Sequence, residues 1–282
     1  MAEAVTAVPW RQAATAPSHP RGVFLLSWLL GGLLGAFIVV PLLALAGTPS
    51  AADLAHAAAS ADLWRALRLS LEAAFLTALI AGLAGVPLAY LLARADFPGR
   101  GVVAAVIDLP LAVPHTVAGI ALLLVLGREG IIGAPAAALF GLKFWGTLAG
   151  IVAAMLFVSV PYTVNAARIG FEAIDPRLEK VARTLGMGPW RTWLQITLPL
   201  ARRSIMTGFA LTYARSISEF GAVIILAYYP MTAPVQIYTL FLSSGLDEAA
   251  AASVMLLALC LSLFVLFRLL AYGNGMRAAG GR

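Results

Sequence analysis

Charged residues are scarce in this 282-residue chain: Asp, Glu, Lys and Arg make up 11% of it, whereas 61% of the residues are hydrophobic. Soluble domains carry about 25% charged and about 45–50% apolar residues. The composition therefore excludes a soluble enzyme and, even more firmly, an intrinsically disordered chain. Cysteine is nearly absent as well. Cys260 stands alone within an apolar run, which excludes an internal disulfide and a cysteine-based metal site.

Six apolar runs are long enough to cross a bilayer, whose hydrocarbon core takes about 20 apolar residues in helical form. They are residues 23–46, 69–93, 102–126, 146–167, 204–227 and 249–271. Hydrocarbon offers backbone groups no outside partner, so such runs form helices. The chain is therefore predicted to be an all-α, polytopic protein of the lipid bilayer with six transmembrane helices.

The basic residues indicate how these helices are oriented. Fourteen Lys and Arg residues lie on the side of the two terminal tails, residues 1–22 and 272–282, and four lie on the other side. Cytoplasmic loops carry such an excess, so both termini are predicted to be cytoplasmic, and no nucleic-acid partner is expected from the net charge of +6. The alternative for residues 23–46 is a cleaved signal peptide, but the apolar core exceeds the usual 7–15 residues.

One cytoplasmic loop, residues 168–203, holds ten charged residues in 36 positions. Asp175 followed by Pro176 is a helix start, and Gly186 is a helix stop. Between them an apolar face follows the i, i+3, i+4, i+7 spacing of a helix. Its residues are Leu178, Val181, Ala182 and Leu185.

A second short helix is predicted to begin at Gly188-Pro189 and to end at Leu198-Pro199. Its apolar side chains group toward one face: Trp190, Trp193, Leu194 and Ile196. The two helices either lie on anionic lipid, anchored by Arg and Trp, or place an apolar face in a groove on a cytosolic partner. Physical chemistry alone favours neither alternative.

The loop resembles the EAA motif of bacterial ABC importer permeases, in which Glu-Ala-Ala is followed by Gly and then by Ile-x-Leu-Pro. The corresponding residues are Lys180, Val181, Ala182, Gly186, Ile196, Leu198 and Pro199, with Glu179 beside the lysine that replaces the motif's glutamate. The resemblance implies that this loop couples the chain to a cytosolic ATPase. It also implies the type I importer fold and a homodimer, because one six-helix unit forms half of the translocation path in this family.

The chain has no G-x-x-x-x-G-K-[ST] phosphate-binding sequence, since neither Lys143 nor Lys180 follows a glycine. ATP and Mg²⁺ are therefore expected on a separate ATPase subunit, present in two copies. No catalytic residue, metal site or cofactor is expected on this chain.

Polar residues inside the apolar runs are costly and usually face the bundle interior or water. Arg215 and Glu219 lie four residues apart in the fifth run, beside Ser216 and Ser218. They predict either an ion pair that stabilises the helix or an element that lines or gates the path.

His115, in the third run, is a further candidate for the path. Pro110 and Pro114 are expected to kink that helix and to leave polar groups that need a cavity. A histidine satisfied inside the bundle is the alternative.

Three stretches, residues 108–121, 218–224 and 227–234, resemble the molybdate, tungstate and sulfate permeases. The Tyr-Tyr-Pro and Thr-Ala-Pro sequences at residues 228–230 and 232–234 resemble the molybdate/tungstate branch most. The similarity covers residues 64–271. It implies an oxyanion importer of the bacterial inner membrane that works with an extracytoplasmic oxyanion-binding protein. Loops 127–145 and 228–248 are then either docking surfaces for that protein or simple packing at the membrane surface.

The expected function is therefore the permease subunit of an ATP-driven oxyanion importer, with a sulfate permease as the alternative within the family. A stand-alone channel or secondary transporter would need no large cytoplasmic loop, and no three-helix repeat is evident. An intramembrane enzyme is disfavoured because His115 and Asp108 are the only intramembrane histidine and aspartate.

Overall fold

The computed structural model describes residues 21–279, with side chains described for residues 22–265. Over these residues the chain forms thirteen α-helices and one π-helical segment, with no strand, which confirms the all-α class. The helices are α1 (Arg21–Gly47), α2 (Ala51–Ala59), α3 (Ala61–Arg94), α4 (Arg100–Ala112), α5 (His115–Leu126), α6 (Gly133–Phe140), α7 (Leu148–Glu172), α8 (Pro176–Thr184), α9 (Pro189–Thr192), α10 (Leu198–Ile217), α11 (Gly221–Leu226), α12 (Ala233–Ser244) and α13 (Leu246–Ala279), and the π segment is Trp193–Thr197. Residues 1–20 of the predicted amino-terminal tail lie outside the described residues.

Four helices in the described part of the chain, α1, α3, α7 and α13, are long and apolar enough to cross a membrane. A fifth span is reached if α4 and α5 are taken together. Helix α3 has 34 residues and is about 51 Å long at 1.5 Å per residue. It therefore extends well beyond a hydrocarbon core of about 30 Å.

The third predicted span is not one kinked helix but two helices that meet at an angle of 115°. Val113 is extended, with φ −78° and ψ 129°, because a residue before proline avoids the helical region. Pro114, which follows it, has no amide hydrogen to continue the ladder of α4. Pro114 thus breaks the helix and makes His115 the first residue of α5, whereas Pro110 lies within α4 without interrupting it.

The fifth predicted span, residues 204–227, is also broken. Helix α10 ends at Ile217, and α11 begins only at Gly221. The Glu219 side chain accepts a hydrogen bond from the amide of Ala222 at 2.9 Å and so caps the start of α11 in place of a backbone carbonyl. A polar side chain that bonds to the backbone competes with continuation of the helix.

The second helix of the loop at residues 168–203 does not end at Leu198-Pro199 as predicted. The π segment runs from α9 into α10, and the amide of Leu198 donates to the carbonyl of Trp193. Pro199 lies in the first turn of α10, where a missing amide hydrogen leaves no bond unmade. The proline therefore does not stop the helix.

The chain divides into two compact units, residues 1–47 with α1 and residues 48–282 with the remaining helices. In the second unit α3, α7 and α10 pack against one another. Small residues of α3 are fully buried in this contact: Ala73, Ala74, Ala78, Ala81 and Ala89. Small side chains allow helix backbones to approach closely in a membrane, which explains the position of this three-helix core.

Buried hydroxyl groups join α7 to α10 within that core. The hydroxyl oxygens of Thr163 and Thr212 lie 2.7 Å apart, and those of Ser159 and Ser216 lie 2.9 Å apart. All four side chains are buried. Because hydrogen bonds between helices add to van der Waals packing in a membrane, these two pairs fix the register of α7 and α10.

Candidate functional site

Helix α8 has the boundaries that the sequence predicts. Asp175 caps its start by accepting a hydrogen bond from the amide of Arg177 at 2.9 Å. At its end the amide of Met187 reaches back to the carbonyl of Ala182, and Gly186 adopts φ +88°. A positive φ at this position is readily adopted by glycine, so the motif glycine turns the chain between α8 and α9.

The side chains of the apolar face predicted for α8 do not all point the same way. Ala182 is buried, whereas Leu178, Val181 and Leu185 are 48%, 57% and 79% exposed. Trp190, on α9, is also exposed and stacks on Trp193, with ring centroids 5.1 Å apart. Three large aliphatic side chains thus stand uncovered on one side of a charged helix, as in a helix that binds in an apolar groove.

The remaining motif residues differ in their surroundings. Glu179 is largely buried and hydrogen-bonded, whereas Lys180 is exposed. Ile196 is half-buried in the π segment, and Leu198 packs on a cluster that contains Phe171. Pro199 is exposed at the start of α10.

The second group of candidate residues forms a charged cluster at the break between α10 and α11. One guanidinium nitrogen of Arg215, Nη2, donates to Glu219 Oε2 at 2.8 Å and to His115 Nε2 at 2.6 Å. Arginine cannot accept a hydrogen bond, so Nε2 of His115 is the acceptor and its ring proton lies on Nδ1. That Nδ1 is 4.0 Å from Glu219 Oε2. The structure thus brings together His115, Arg215 and Glu219, which are up to 104 residues apart in the sequence.

The members of this cluster differ in their exposure. The Glu219 side chain is 1% exposed and that of Arg215 is 21% exposed, whereas His115 lies open at 44%. The buried carboxylate is therefore neutralised from one side by Arg215, while Arg215 and His115 keep part of their surface accessible to an ion or water.

The two serines predicted beside the pair have different surroundings. Ser218 is exposed, and its hydroxyl donates to the carbonyl of Arg215 at 3.0 Å and accepts from Arg215 Nη1 at 3.4 Å. Ser216 is buried and faces Ser159 across the α7–α10 contact. Only Ser218 therefore belongs to the charged cluster, and Ser216 packs in the core.

Glycines on α5 and α11 let His115 approach Glu219. A Cβ atom on Gly221 would lie 2.8 Å from the Cβ of His115, and one on Gly119 would lie 3.0 Å from the Cα of Ala222. Neither space accommodates a methyl group without movement of a neighbour. The close approach of the two helices positions the histidine ring.

Gly221→Ala is expected to destabilise the chain by about 1–3 kcal/mol, the usual cost of overpacking a filled site, because His115 and the backbone of Thr116 lie within 3.3 Å of the new methyl group. The measurement is the free energy of unfolding in detergent micelles. Gly82→Ala is the control, because nothing lies within 4 Å of its added Cβ and alanine is the better helix former. Equal stability of the two variants would contradict the close packing at Gly221.

One polar pair was missed by reasoning from the sequence. The amide nitrogen of Asn165 on α7 donates to Asp108 Oδ1 on α4 at 2.6 Å. Each residue is visible as a polar position within an apolar run, but nothing in the sequence shows that they meet. The bond satisfies an aspartate in a region where an unpaired carboxylate would be costly.

An open pocket of about 380 Å³ lies at the loop after α5 and is lined by residues between 123 and 145. The guanidinium of Arg128 lies over the ring of Trp145, 4.9 Å from its centroid, which is cation–π geometry.

Among the described residues, no group of three or more His, Cys, Asp or Glu side chains is arranged to hold a metal ion.

Comparison with known proteins gives one family. Residues 85–273 match the model of the inner membrane component of binding-protein-dependent transport systems. The molybdate/tungstate transport system permease protein WtpB of Thermococcus kodakarensis is 49% identical over 203 residues, which cover 72% of this chain and 76% of that protein. The molybdenum transport system permease protein ModB of Escherichia coli K12 is 39% identical over 207 residues, which cover 72% of this chain and 90% of that protein.

Solved structures share the fold at lower sequence identity. A bacterial ABC transporter involved in the import of the acidic polysaccharide alginate superposes with a TM-score of 0.73 at 17% identity, over 89% of this chain and 96% of that one. The MetNI methionine ABC transporter, in an inward-facing conformation, gives a TM-score of 0.59 at 14% identity, over 75% of this chain and 95% of that one.

Proposed function

The chain belongs to the ABC importer permease family, the inner membrane components of binding-protein-dependent transport systems, and we propose that its cargo is an oxyanion, molybdate or tungstate. It is a transport component and not an enzyme, because a separate subunit hydrolyses ATP in this family. The relatives that are named for molybdate and tungstate transport support this cargo.

The proposed complex contains two copies of this chain and two copies of a cytosolic ATPase, which hold ATP and Mg²⁺. An extracytoplasmic oxyanion-binding protein delivers the cargo to the outer surface, which includes the pocket beside Arg128 and Trp145. Both termini face the cytoplasm of a bacterial cell, as the distribution of basic residues indicates.

The exposed apolar face of α8 carries the proposal of an ATP-driven partner. Leu178, Val181 and Leu185 are uncovered on the loop that has the spacing of the family's coupling motif. A helix that lay on lipid would also bury this face. However, the turn at Gly186 and the contacts on the inner side of α8 hold this helix in place, so its exposed apolar side chains form a rigid ridge. Such a ridge fits a groove on a protein better than a fluid surface.

The charged cluster at the α10–α11 break is suited to binding an anion transiently and not tightly. Arg215 and His115 offer partly exposed hydrogen-bonding groups, while Glu219 already neutralises the guanidinium. A dianion such as molybdate gains only a weak contact at a neutralised arginine. Conduction requires contacts that are weak enough to release the ion, so we place this cluster along the translocation path.

Competition during uptake tests the cargo. The permease is reconstituted in vesicles with its ATPase and binding protein, and ATP-dependent uptake of radioactive molybdate is measured with a second anion present. An equal concentration of tungstate is expected to halve uptake at saturation, because the two tetrahedral anions carry the same charge and differ little in size. Sulfate at that concentration is expected to leave uptake nearly unchanged.

Two outcomes would contradict this assignment. Displacement of molybdate by sulfate as effectively as by tungstate would favour the sulfate permease. Uptake that persists after the ATPase is left out would contradict ATP-driven transport and favour a channel or secondary transporter. Phosphate, a protonated tetrahedral oxyanion, is the control for non-specific competition.

A further inference from the structure

On its inner side, α8 is hydrogen-bonded to the helix bundle through the carboxylate of Glu179. Glu179 Oε1 accepts hydrogen bonds from Arg94 Nε at 3.0 Å and from the Thr197 hydroxyl at 3.1 Å. Its Oε2 accepts from the Tyr90 hydroxyl at 3.1 Å. Three donors from two other elements thus converge on a single side chain in the first turn of α8.

These contacts are protected from solvent. The side chains of Arg94 and Glu179 are 15% and 16% exposed, and Thr197 is fully buried. Ion pairs on an open surface contribute little, but charge-assisted hydrogen bonds that are sheltered from solvent are stronger than neutral ones. The Glu179 contacts are therefore a structural joint and not a fluctuating surface pair.

The same joint reaches the end of α7. Nη2 of Arg94 donates to the carbonyl of Ile174 at 2.8 Å. The ring of Tyr90 lies edge-on to Phe171, at a centroid distance of 5.4 Å, and to Trp193, at 6.2 Å. The ends of α3 and α7, the π segment before α10, and α8 therefore meet around Glu179.

Position 180, where the family's motif has its glutamate, is occupied here by the exposed Lys180. The carboxylate that holds the loop is instead Glu179, which points inward, while Val181 and Leu185 point outward. Helix α8 thus exposes an apolar face that is free to contact a partner, while Glu179 bonds to the helix bundle.

We propose that Glu179 is a positioning residue that transmits displacement of α8 to α3 and α10, so that ATP hydrolysis on the partner moves the transmembrane helices. This inference rests on the proposed function of the chain. The displacement would reach the bundle through the three donors to Glu179, which are Arg94, Tyr90 and Thr197. Without the carboxylate, α8 still presents its outer face to the ATPase but moves independently of the helices.

Glu179→Gln tests the joint in the reconstituted complex of permease, ATPase and binding protein. The amide keeps the size of the side chain but loses the charge-assisted bonds. We expect the number of molybdate ions taken up per ATP hydrolysed to fall about tenfold or more, the equivalent of one hydrogen bond to a charged group. Affinity for the ATPase and the rate of ATP hydrolysis are expected to persist. A loss of folding alone would lower uptake and hydrolysis together and leave their ratio unchanged.

Asp96→Asn is the matched control, because it makes the same carboxyl-to-amide change on the loop that follows Arg94. Asp96 pairs with Arg100 at 3.1 Å, but its side chain is 98% exposed. The ratio of uptake to hydrolysis is expected to remain that of the unsubstituted complex. Tyr90→Phe, which removes one hydroxyl and keeps the ring contacts, is expected to lower the ratio less than Glu179→Gln.

The double variant with Tyr90→Phe and Glu179→Gln is expected to be no worse than Glu179→Gln alone, because the Tyr90 hydroxyl bonds to the Glu179 carboxylate and both changes act on that one interaction. An unchanged ratio in Glu179→Gln overturns the inference, and so does loss of ATPase binding in that variant. Failure of the unsubstituted complex to show ATP-driven uptake would instead contradict the proposed function. The two failures are thus distinguishable.

Discussion

Arg215→Met is expected to lower the free energy of unfolding by about 3–5 kcal/mol, the cost of leaving a buried charge without its partner. Glu219, at 1% exposure, would keep only the Ala222 amide at 2.9 Å and a histidine at 4.0 Å. The measurement is unfolding in mixed detergent micelles, followed by helical circular dichroism. Arg65→Met is the control, because Arg65 and Asp62 form an ion pair whose side chains are 77% and 73% exposed, and it is expected to leave stability within error.

A second substitution separates the two roles that the sequence leaves open for this pair. Glu219→Gln added to Arg215→Met removes the unpaired charge and still accepts from the Ala222 amide, so most of the lost stability is expected to return. Uptake is expected to stay low, because the proposed path has lost its guanidinium. Recovery of both stability and uptake would show that the pair is only structural. Stability that stays low in the double variant would contradict the buried-charge argument.

The apolar runs predict which segments become helices, but not where two of them break. Pro41, Pro87 and Pro161 lie inside α1, α3 and α7, whereas Pro114 separates α4 from α5. Proline removes one hydrogen bond wherever it occurs. Helix α1 continues past Pro41 although none of its apolar window is buried, so a proline in an apolar run does not by itself indicate where a helix ends.

The break at Glu219 has a different cause. Hydropathy indicates one continuous span over residues 204–227, yet the carboxylate bonds to the amide of Ala222 and helix α10 ends before it. The spacing of Arg215 and Glu219 predicts a contact on one helix face, and the ion pair does form, although Glu219 lies beyond the end of α10. Nothing in that spacing indicates His115, which comes from α5 through the close approach at Gly221.

In the loop at residues 168–203, too, nearby residues set some features and distant residues set others. Asp175, Pro176 and Gly186 set the limits of α8 through backbone effects that act within a few residues, and the sequence therefore predicts them. The motif places its glutamate at position 180, but the carboxylate that faces the bundle is that of Glu179. Its partner is Arg94, which lies 85 residues away in the sequence. A motif locates the helix, but only the packed structure shows which side chain faces the bundle.

Val181→Asp is expected to weaken binding of the ATPase about 30-fold or more, since an apolar anchor of a helix that binds in a groove is worth about 2 kcal/mol or more. Val181 is 57% exposed between Leu178 and Leu185, so aspartate there is tolerated by the free chain but would bring an unpaired charge into the groove. The measurement is the dissociation constant of the ATPase for the permease in detergent micelles. ATP-driven uptake is expected to be lost in parallel.

Arg183→Gln is the matched control, because it changes the net charge by the same single unit on the same helix. Arg183 follows Val181 by two residues, which places it about 160° away around α8 at 3.6 residues per turn. Binding within about threefold of the unsubstituted chain is expected, since exposed charges on a rim contribute mainly to the association rate. Equal weakening by the two substitutions would show that charge, and not the apolar face, holds the ATPase. Unchanged binding by Val181→Asp would remove α8 as the coupling helix, because no groove that encloses Leu178 and Leu185 could leave the residue between them in water.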